Sequence, residues 1–541
     1  MTGARERSTT SRDESEDAAG WREWVGLAVV SLPALVVTMD VSILFLAVPS
    51  LTVSLTPTAG QLLWISDIYG FVIAGSLLTM GAVSDRAGPR RLLMLGATAF
   101  AAASLLAAFA STPEALITAR AILGVAGATL APSSMATLRS MFRQERQRRQ
   151  AVGVWMSCFA AGAAVGPLVG GALLEHFWWG SAFLLNVPVM AVLLVGGAAV
   201  LPAPPARRRA QLDLRGAVMS LVAILLVTYA LKTAVSEGLD VVAVVSLAAG
   251  AAVGGAFIRQ QKTASHPLVD LSLFRTSGFA VCLVAIVLSA FVVAGLLFYM
   301  AQLLQLVAQR GPLEAGVWTL PVMVATIAGS MSAPALLERL SSLPLLAGAL
   351  GLAGLGLAMA AMLRADDFTS LIAGSTLVGL GAGAAGTIAT DSIIGAAPIE
   401  RAGAASAVTE TGSELGGALG VALLGSLGTA VYRARVSDAL PASLSASSTA
   451  TVTDSRAGAA GLTASVPEDV LRAADAAFVD ALQAASLSAS ALCAVAATVA
   501  VVVIRRASRP APDRSRVPPR RAPRAISSQH DPTEIDQRSQ P

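Results

Sequence analysis

The sequence predicts an all-α integral membrane protein with 14 transmembrane helices, arranged as two six-helix bundles plus two inserted central helices. Three observations carry this expectation: the composition, the length of the apolar runs, and the placement of basic residues between them. Of the 541 residues, 55% are hydrophobic and 13% charged, and the mean hydropathy is +0.69. A soluble chain of this size cannot bury that much apolar surface, so the bilayer must act as solvent. A hydrocarbon core of roughly 30 Å takes roughly 20 apolar residues in helical form. Lipid requires backbone polar groups to pair internally, which leaves helices or closed barrels, and the long uninterrupted apolar runs exclude the barrel.

The first group of six spans is expected at 27–48, 62–83, 92–110, 115–138, 151–174 and 181–201. After the basic linker Arg207, Arg208 and Arg209 come two further spans at 216–231 and 239–258, both near the lower length limit and read as an insert. The second group of six is expected at 279–303, 313–336, 345–363, 370–390, 404–431 and 478–504. The chain then divides into a cytoplasmic segment (1–24), an N-terminal bundle (25–201), the insert (202–260), a C-terminal bundle (261–504) containing an external loop at 432–477, and a tail (505–541). The loop ends in Ser465-Val466-Pro467-Glu468, a capping box that should start a short helix leading into the last span. The tail, rich in Pro, Arg, Ser and Gln, is expected to be disordered. Residues 1–20 have no apolar stretch before a cleavage site, so the first span is expected to serve as insertion signal.

Orientation follows from the basic residues of the short loops. The loops after spans 2, 4, 6, 8, 10 and 12 hold most of them, including Arg139, Arg143, Arg146, Arg148 and Arg149. The short loops on the other side hold only Lys232, Arg310 and Arg364. Both termini are therefore expected in the cytoplasm of a cell-membrane protein, with Arg505 and Arg506 closing the last span on that side.

Several function classes fall away. The formal net charge of +4 comes almost wholly from arginine and marks no nucleic-acid partner, since Lys232 and Lys262 are the only lysines. Neither lysine follows a glycine-rich phosphate loop, which removes a nucleotide-driven pump. Cys158, Cys282 and Cys493 stand at unrelated spacings inside apolar runs, and His176, His266 and His530 are far apart in sequence. No metal, cofactor or enzymatic chemistry is expected.

What remains is ionisable residues inside apolar helices, each costing roughly 2.5 to 3.5 kcal/mol at a helix centre. These are Asp40, Asp67, Arg120, Glu410 and Glu414. Five together argue for an ion or substrate pathway. Asp40, Asp67 and Arg120 can share one depth, so Arg120 could neutralise either aspartate. Glu410 and Glu414 are four apart, which puts both carboxylates on one helix face. Two like charges in low dielectric cannot both ionise cheaply, so the pair makes a proton site that a cation can displace.

These motifs resemble the major facilitator superfamily, specifically its fourteen-span drug:proton antiporters, which include the quaternary-ammonium efflux pumps. The segment Gly81 through Arg91, with Asp85, Arg86, Gly88, Arg90 and Arg91, is similar to that family's cytoplasmic gating motif, with Pro89 where a basic residue is usual. Gly81 is expected to allow close helix contact, and Asp85 and the arginines to form charge pairs that hold one conformation. Arg120, followed by Gly124 and Gly127, matches the helix-4 motif implicated in proton coupling. Gly162, Gly166, Pro167, Gly170 and Gly171 match the helix-5 antiporter motif. The segments around Asp40, around Trp64 to Tyr69, and from Ser181 to Pro188 resemble further signatures of the branch. In the quaternary-ammonium pumps the residues matching Asp40, Asp67, Glu410 and Glu414 are acidic too, while Thr409 stands where a pump can carry a further acid.

The resemblance implies alternating access, with protons exchanged for amphiphilic cationic small molecules, mainly monocations, by a functional monomer surrounded by lipid. The alternative is a dedicated exporter of one endogenous metabolite or antibiotic, with the acids serving only the proton.

Overall fold

The computed structural model describes residues 19–142, 144–202, 213–236, 240–264, 277–363, 368–396, 402–441, 444–462 and 466–507. Among them lie 14 helices long and apolar enough to cross a membrane, and no strand. In chain order these are α1 (Trp21–Leu55), α2 (Ala59–Ala87), α3 (Pro89–Ala108), α4 (Pro113–Met141), α5 (Glu145–His176) and α6 (Ser181–Val200). The inserted pair is α7 (Leu214–Ser236) and α8 (Val241–Thr263). There follow α9 (Ser277–Gln302), α10 (Pro312–Leu337), α11 (Ser342–Ala360), α12 (Thr369–Ala396), α13 (Ala402–Leu419) and α14 (Glu468–Ala507). One π-helical turn, Leu303–Val307, extends α9, and another, Gly420–Leu424, joins α13 to its continuation Gly425–Ser437.

Helix starts follow local chemistry rather than the edge of the apolar run. Thr58 and Gln61 cap α2 reciprocally, Thr112 with Pro113 in the first position starts α4, and Asp240 caps α8. The turn from α2 to α3 places Gly88 at φ 93°, a conformation that an L side chain rarely adopts, with Pro89 opening the next helix. Helix α1 starts before the expected position 27, and α7 runs past the expected end at 231. Lys232, counted above as a loop residue, therefore lies inside α7 and is buried. That count was wrong because an apolar run underestimates a helix whose last turn is buried by a neighbour.

Two large apolar cores form, beside two smaller clusters. Leu44, Tyr69, Phe100, Leu123 and Phe183 belong to that of the first six helices, and Phe291, Met300, Leu350, Val378 and Leu482 to that of the last six. The inserted helices pack on each other, with α7 against α2. Large apolar side chains such as Val241, Val195, Leu95 and Met362 point outward, as lipid-facing surface permits.

The two halves meet where α5 packs on α10, α2 on α13 and α1 on α9. Contacts run toward the end that carries the α1–α2 turn: Gly171 lies against Leu313, Gly316 against Pro167, and Gly425 against Leu63. The loop between α13 and α14 folds over this same end as two short helices, Ala446–Asp454 and Arg456–Ala460. Asp454 accepts from the Ala59 backbone N–H at 2.7 Å and from Arg433 at 2.7 Å. Buried Arg456 donates to Asp475 at 2.6 Å and to the Leu306 carbonyl at 3.0 Å. The expected capping Ser465 lies outside the described residues. The short helix expected after it is the first part of α14, which runs unbroken from Glu468. Residues 1–18 and 508–541, the linker arginines 207–209, Arg143 and Arg364 also lie outside the description.

Candidate functional site

Helices α1, α4 and α6 bring the first charge cluster together. Arg120 Nη1 donates to Asp40 Oδ2 at 2.9 Å, and both side chains are almost wholly buried. The other Asp40 oxygen accepts from Asn186 Nδ2 at 2.9 Å, and Asn186 also reaches Ser104 Oγ at 3.2 Å. The Arg120 guanidinium lies 5.0 Å from the centre of the Tyr69 ring and 5.8 Å from that of Phe183. Aromatic faces and one carboxylate thus compensate a cation removed from water. Of the two aspartates open to Arg120, the fold selects Asp40. Sequence reasoning gave Asn186 no role of its own, although it is a lone polar residue in the apolar run from Phe183 to Met190 and belongs to a segment that the resemblance singled out.

Asp67 has a different partner. Lys232 Nζ of α7 stands 2.9 Å from Asp67 Oδ2 and 4.2 Å from the centre of the Trp64 ring. Trp64 stacks on Tyr229 with centroids 6.4 Å apart. Sequence reasoning placed Lys232 in a loop and missed this pair. The signal was a lysine in an arginine-rich chain at the edge of an apolar run.

The glutamates are separated by function of position on α13. Glu410 lines a cavity of 360 Å³ together with Thr409 and Ser413, Thr326 and Ser330 of α10, and Thr387 and Thr390 of α12. Met156 of α5 lines it from the other half, and Ile394 in the last turn of α12 carries it to the end opposite the α1–α2 turn. Glu414 lies one turn on, where its backbone carbonyl would be 3.8 Å from a Cβ at Gly70 of α2. Glu410 lines the cavity, whereas the backbone of Glu414 lies at the contact of α13 with α2. Among the described residues no lysine or arginine makes an ion pair with either.

The glycines from Gly162 to Gly171, expected as an antiporter motif, form a packing seam. A Cβ on Gly162 would fall on Thr38 Oγ1 and the Leu35 carbonyl of α1, one on Gly166 on Ser42 Oγ, and one on Gly170 at 2.7 Å from Ile43. Thr38 Oγ1 also lies 3.1 Å from the Phe159 carbonyl of α5. Gly171 turns the other way, and a Cβ there would stand 2.6 Å from Leu313 Cα of α10. Small residues therefore let α5 lie directly on α1 and on the opposite half.

The segment from Gly81 to Arg91, expected to serve as a gate, lies at the end of α2 and the start of α3. Arg86 and Arg91 are exposed, and Arg90 donates to the Ala198 carbonyl of α6 at 2.6 Å. The Asp85 side chain lies outside the description, and with it the expected charge pairs. Gly81 is not a point of forced close contact, since a Cβ there would meet Pro132 only at 4.0 Å. The space beside Gly81 would admit a methyl group at ordinary van der Waals distance.

Comparison with known proteins matches this architecture. The multidrug efflux pump LfrA of Mycolicibacterium smegmatis is 38% identical over 90% of this chain and 97% of its own. The methyl viologen resistance protein SmvA of Salmonella typhimurium is 39% identical over 85% and 94%. The tetracenomycin C resistance and export protein of Streptomyces glaucescens is 32% identical over 78% of each chain. A bacterial homologue of the human lysosomal transporter Spinster, solved inward-facing and unoccupied, shares the fold at a TM-score of 0.64 and 15% identity, covering 90% of this chain and 98% of that one. The family model described as Major Facilitator Superfamily matches residues 30–421, and the chain belongs to that superfamily, as a membrane transporter of its drug-efflux type and not an enzyme.

Proposed function

We propose that this protein exports amphiphilic monocations, such as quaternary ammonium compounds and cationic dyes, in exchange for protons. The observation that carries this reading is Glu410, a carboxylate lining a 360 Å³ cavity of otherwise apolar and hydroxyl-bearing side chains. Such a lining holds a greasy cation by burial and charge while tolerating many shapes. A proton or a cation can neutralise the carboxylate, and the two cannot do so together, which is exchange.

In this reading the end bearing Arg86, Arg90, Arg91 and Arg139 faces the cytoplasm, along with both termini, in the cell membrane. The cavity opens to that side while the opposite ends of α5, α10, α2 and α13 are packed, an inward-facing state. Residues 25–201 and 261–504 act as the two rocking halves of a functional monomer, with 202–260 as the insert. Asp40 with Arg120 serves proton coupling, and the segment from Gly81 to Arg91 serves the cytoplasmic gate. A second reading, one dedicated compound, draws support from the relative named for tetracenomycin C export.

The test is efflux of cationic dyes from everted vesicles, with and without a proton-gradient uncoupler. Uncoupler-sensitive efflux of several dyes that compete with one another is expected. Uncoupler-insensitive efflux, or transport of a single neutral compound alone, overturns it.

A further inference from the structure

The inserted pair carries a charge into the bundle beside it. Tyr229 and Lys232 are one turn apart on α7, and they meet Trp64 and Asp67, one turn apart on α2. The Lys232 side chain is 7% exposed and that of Asp67 0%. Taking two ions out of water costs several kcal/mol per ion before their attraction offsets it. A helix that served only as lipid-facing packing would have no cause to carry that cost. The residue type is a second observation. Of 38 basic residues only two are lysine, and one of them makes this pair. An ammonium is a compact point charge, smaller than the planar guanidinium used elsewhere in the chain.

The place of α7 is the third observation. Its Ile224 and Leu225 join one apolar cluster with Phe71 of α2 and with Ala418 and Ala422 of α13. Leu221 fills the space left by Gly75 of α2. The helix therefore spans a seam between the two halves of the transporter, with the ion pair on the α2 side of it.

We propose that Lys232 is the resident counter-cation of Asp67, a positioning residue that ties the inserted helix across the α2–α13 seam and closes Asp67 to the transported cation. Asp67 then acts on movement of the seam and not on substrate binding, and the insert is a working part of the transporter. This rests on the cation-antiport reading above, with Glu410 as the acid that meets the substrate.

The experiment compares wild type, Lys232→Ala, Lys232→Arg, Asp67→Asn and the double neutral variant Lys232→Ala with Asp67→Asn. Dye binding at equilibrium in detergent and uncoupler-sensitive efflux from everted vesicles are measured on each, with membrane protein level as control. Each single neutral variant should lose at least tenfold in efflux, with Lys232→Arg retaining more than Lys232→Ala. The double neutral variant has no unpaired buried charge, so it should return to wild-type protein level and bind dye within twofold of wild type. Its efflux should stay at least tenfold low. Full efflux by the double variant would make the pair mere packing and overturn the proposal. So would a tenfold loss of dye affinity in Asp67→Asn, since Asp67 would then hold the substrate. Absence of proton-linked dye efflux in the wild type fails the antiport reading instead, and is told apart because it precedes any variant.

Discussion

Replacing Arg120 by alanine removes the cation from a pair that has almost no contact with solvent. Asp40 keeps one donor, Asn186 at 2.9 Å, but loses its only ion-pair partner among the described residues. Breaking one side of a buried pair costs about 3–5 kcal/mol, because the remaining charge stays buried without compensation. At about 1.4 kcal/mol per factor of ten, that is a shift of about two to three and a half decades in any equilibrium that keeps Asp40 ionised. The variant should therefore melt well below wild type in detergent and lose uncoupler-sensitive efflux. Arg120→Lys keeps the charge but not the planar group over Tyr69 and Phe183, and should retain part of both. Pairing Arg120→Ala with Asp40→Asn removes both charges, so thermal stability should return while coupled efflux does not. Detergent melting curves and vesicle efflux on the four proteins decide the matter. Wild-type efflux by Arg120→Ala would refute the coupling role, and failure of the double variant to regain stability would refute the energetic argument.

Glu410→Gln should impair some substrates more than others, because Glu410 lines the cavity, whereas Glu414→Gln should impair all of them; Kd and efflux for a panel of dyes test this, and equal mild effects count against both roles. Asp85→Lys should insert normally but transport at least tenfold more slowly, by repulsion from Arg86, Arg90 or Arg91, and normal transport would remove Asp85 from the gate. Gly171→Leu puts a side chain where Leu313 Cα would already be 2.6 Å from a Cβ, so it should block packing of α5 on α10 and abolish turnover more than dye binding. The wild type should export monocations better than long bis-quaternary compounds, since Thr326 of the cavity carries no charge and a second cationic centre has no counter-ion. Thr326→Asp should add dication efflux. Methyl viologen, named in one relative, is a compact dication to include, and equal wild-type rates for single- and double-headed compounds would overturn the preference.

The spans were legible in the residues because lipid imposes a local condition: about 20 apolar residues must pass in one helix, whatever lies beside them. The buried acids were legible for the same reason, since the desolvation penalty attaches to the residue itself. Helix spacing likewise put Glu410 and Glu414 on one side of α13. Partner choice was not local. Asp40 and Asp67 were equivalent toward Arg120 until packing of α1, α4 and α6 brought Asp40 and Asn186 to one point. Lys232 read as a loop residue because its burial is made by α2, more than 160 positions earlier in the chain. That Glu410 lines the cavity while the Glu414 backbone lies against α2 depends on how α13 packs on α12 and α2. The loop before α14 reads as a polar stretch, and only its docking against Ala59, Arg433 and Leu306 shows it closing one end. Hydropathy and periodicity act over a few turns of helix, whereas an ion pair forms only where two distant helices are held at one depth and one angle.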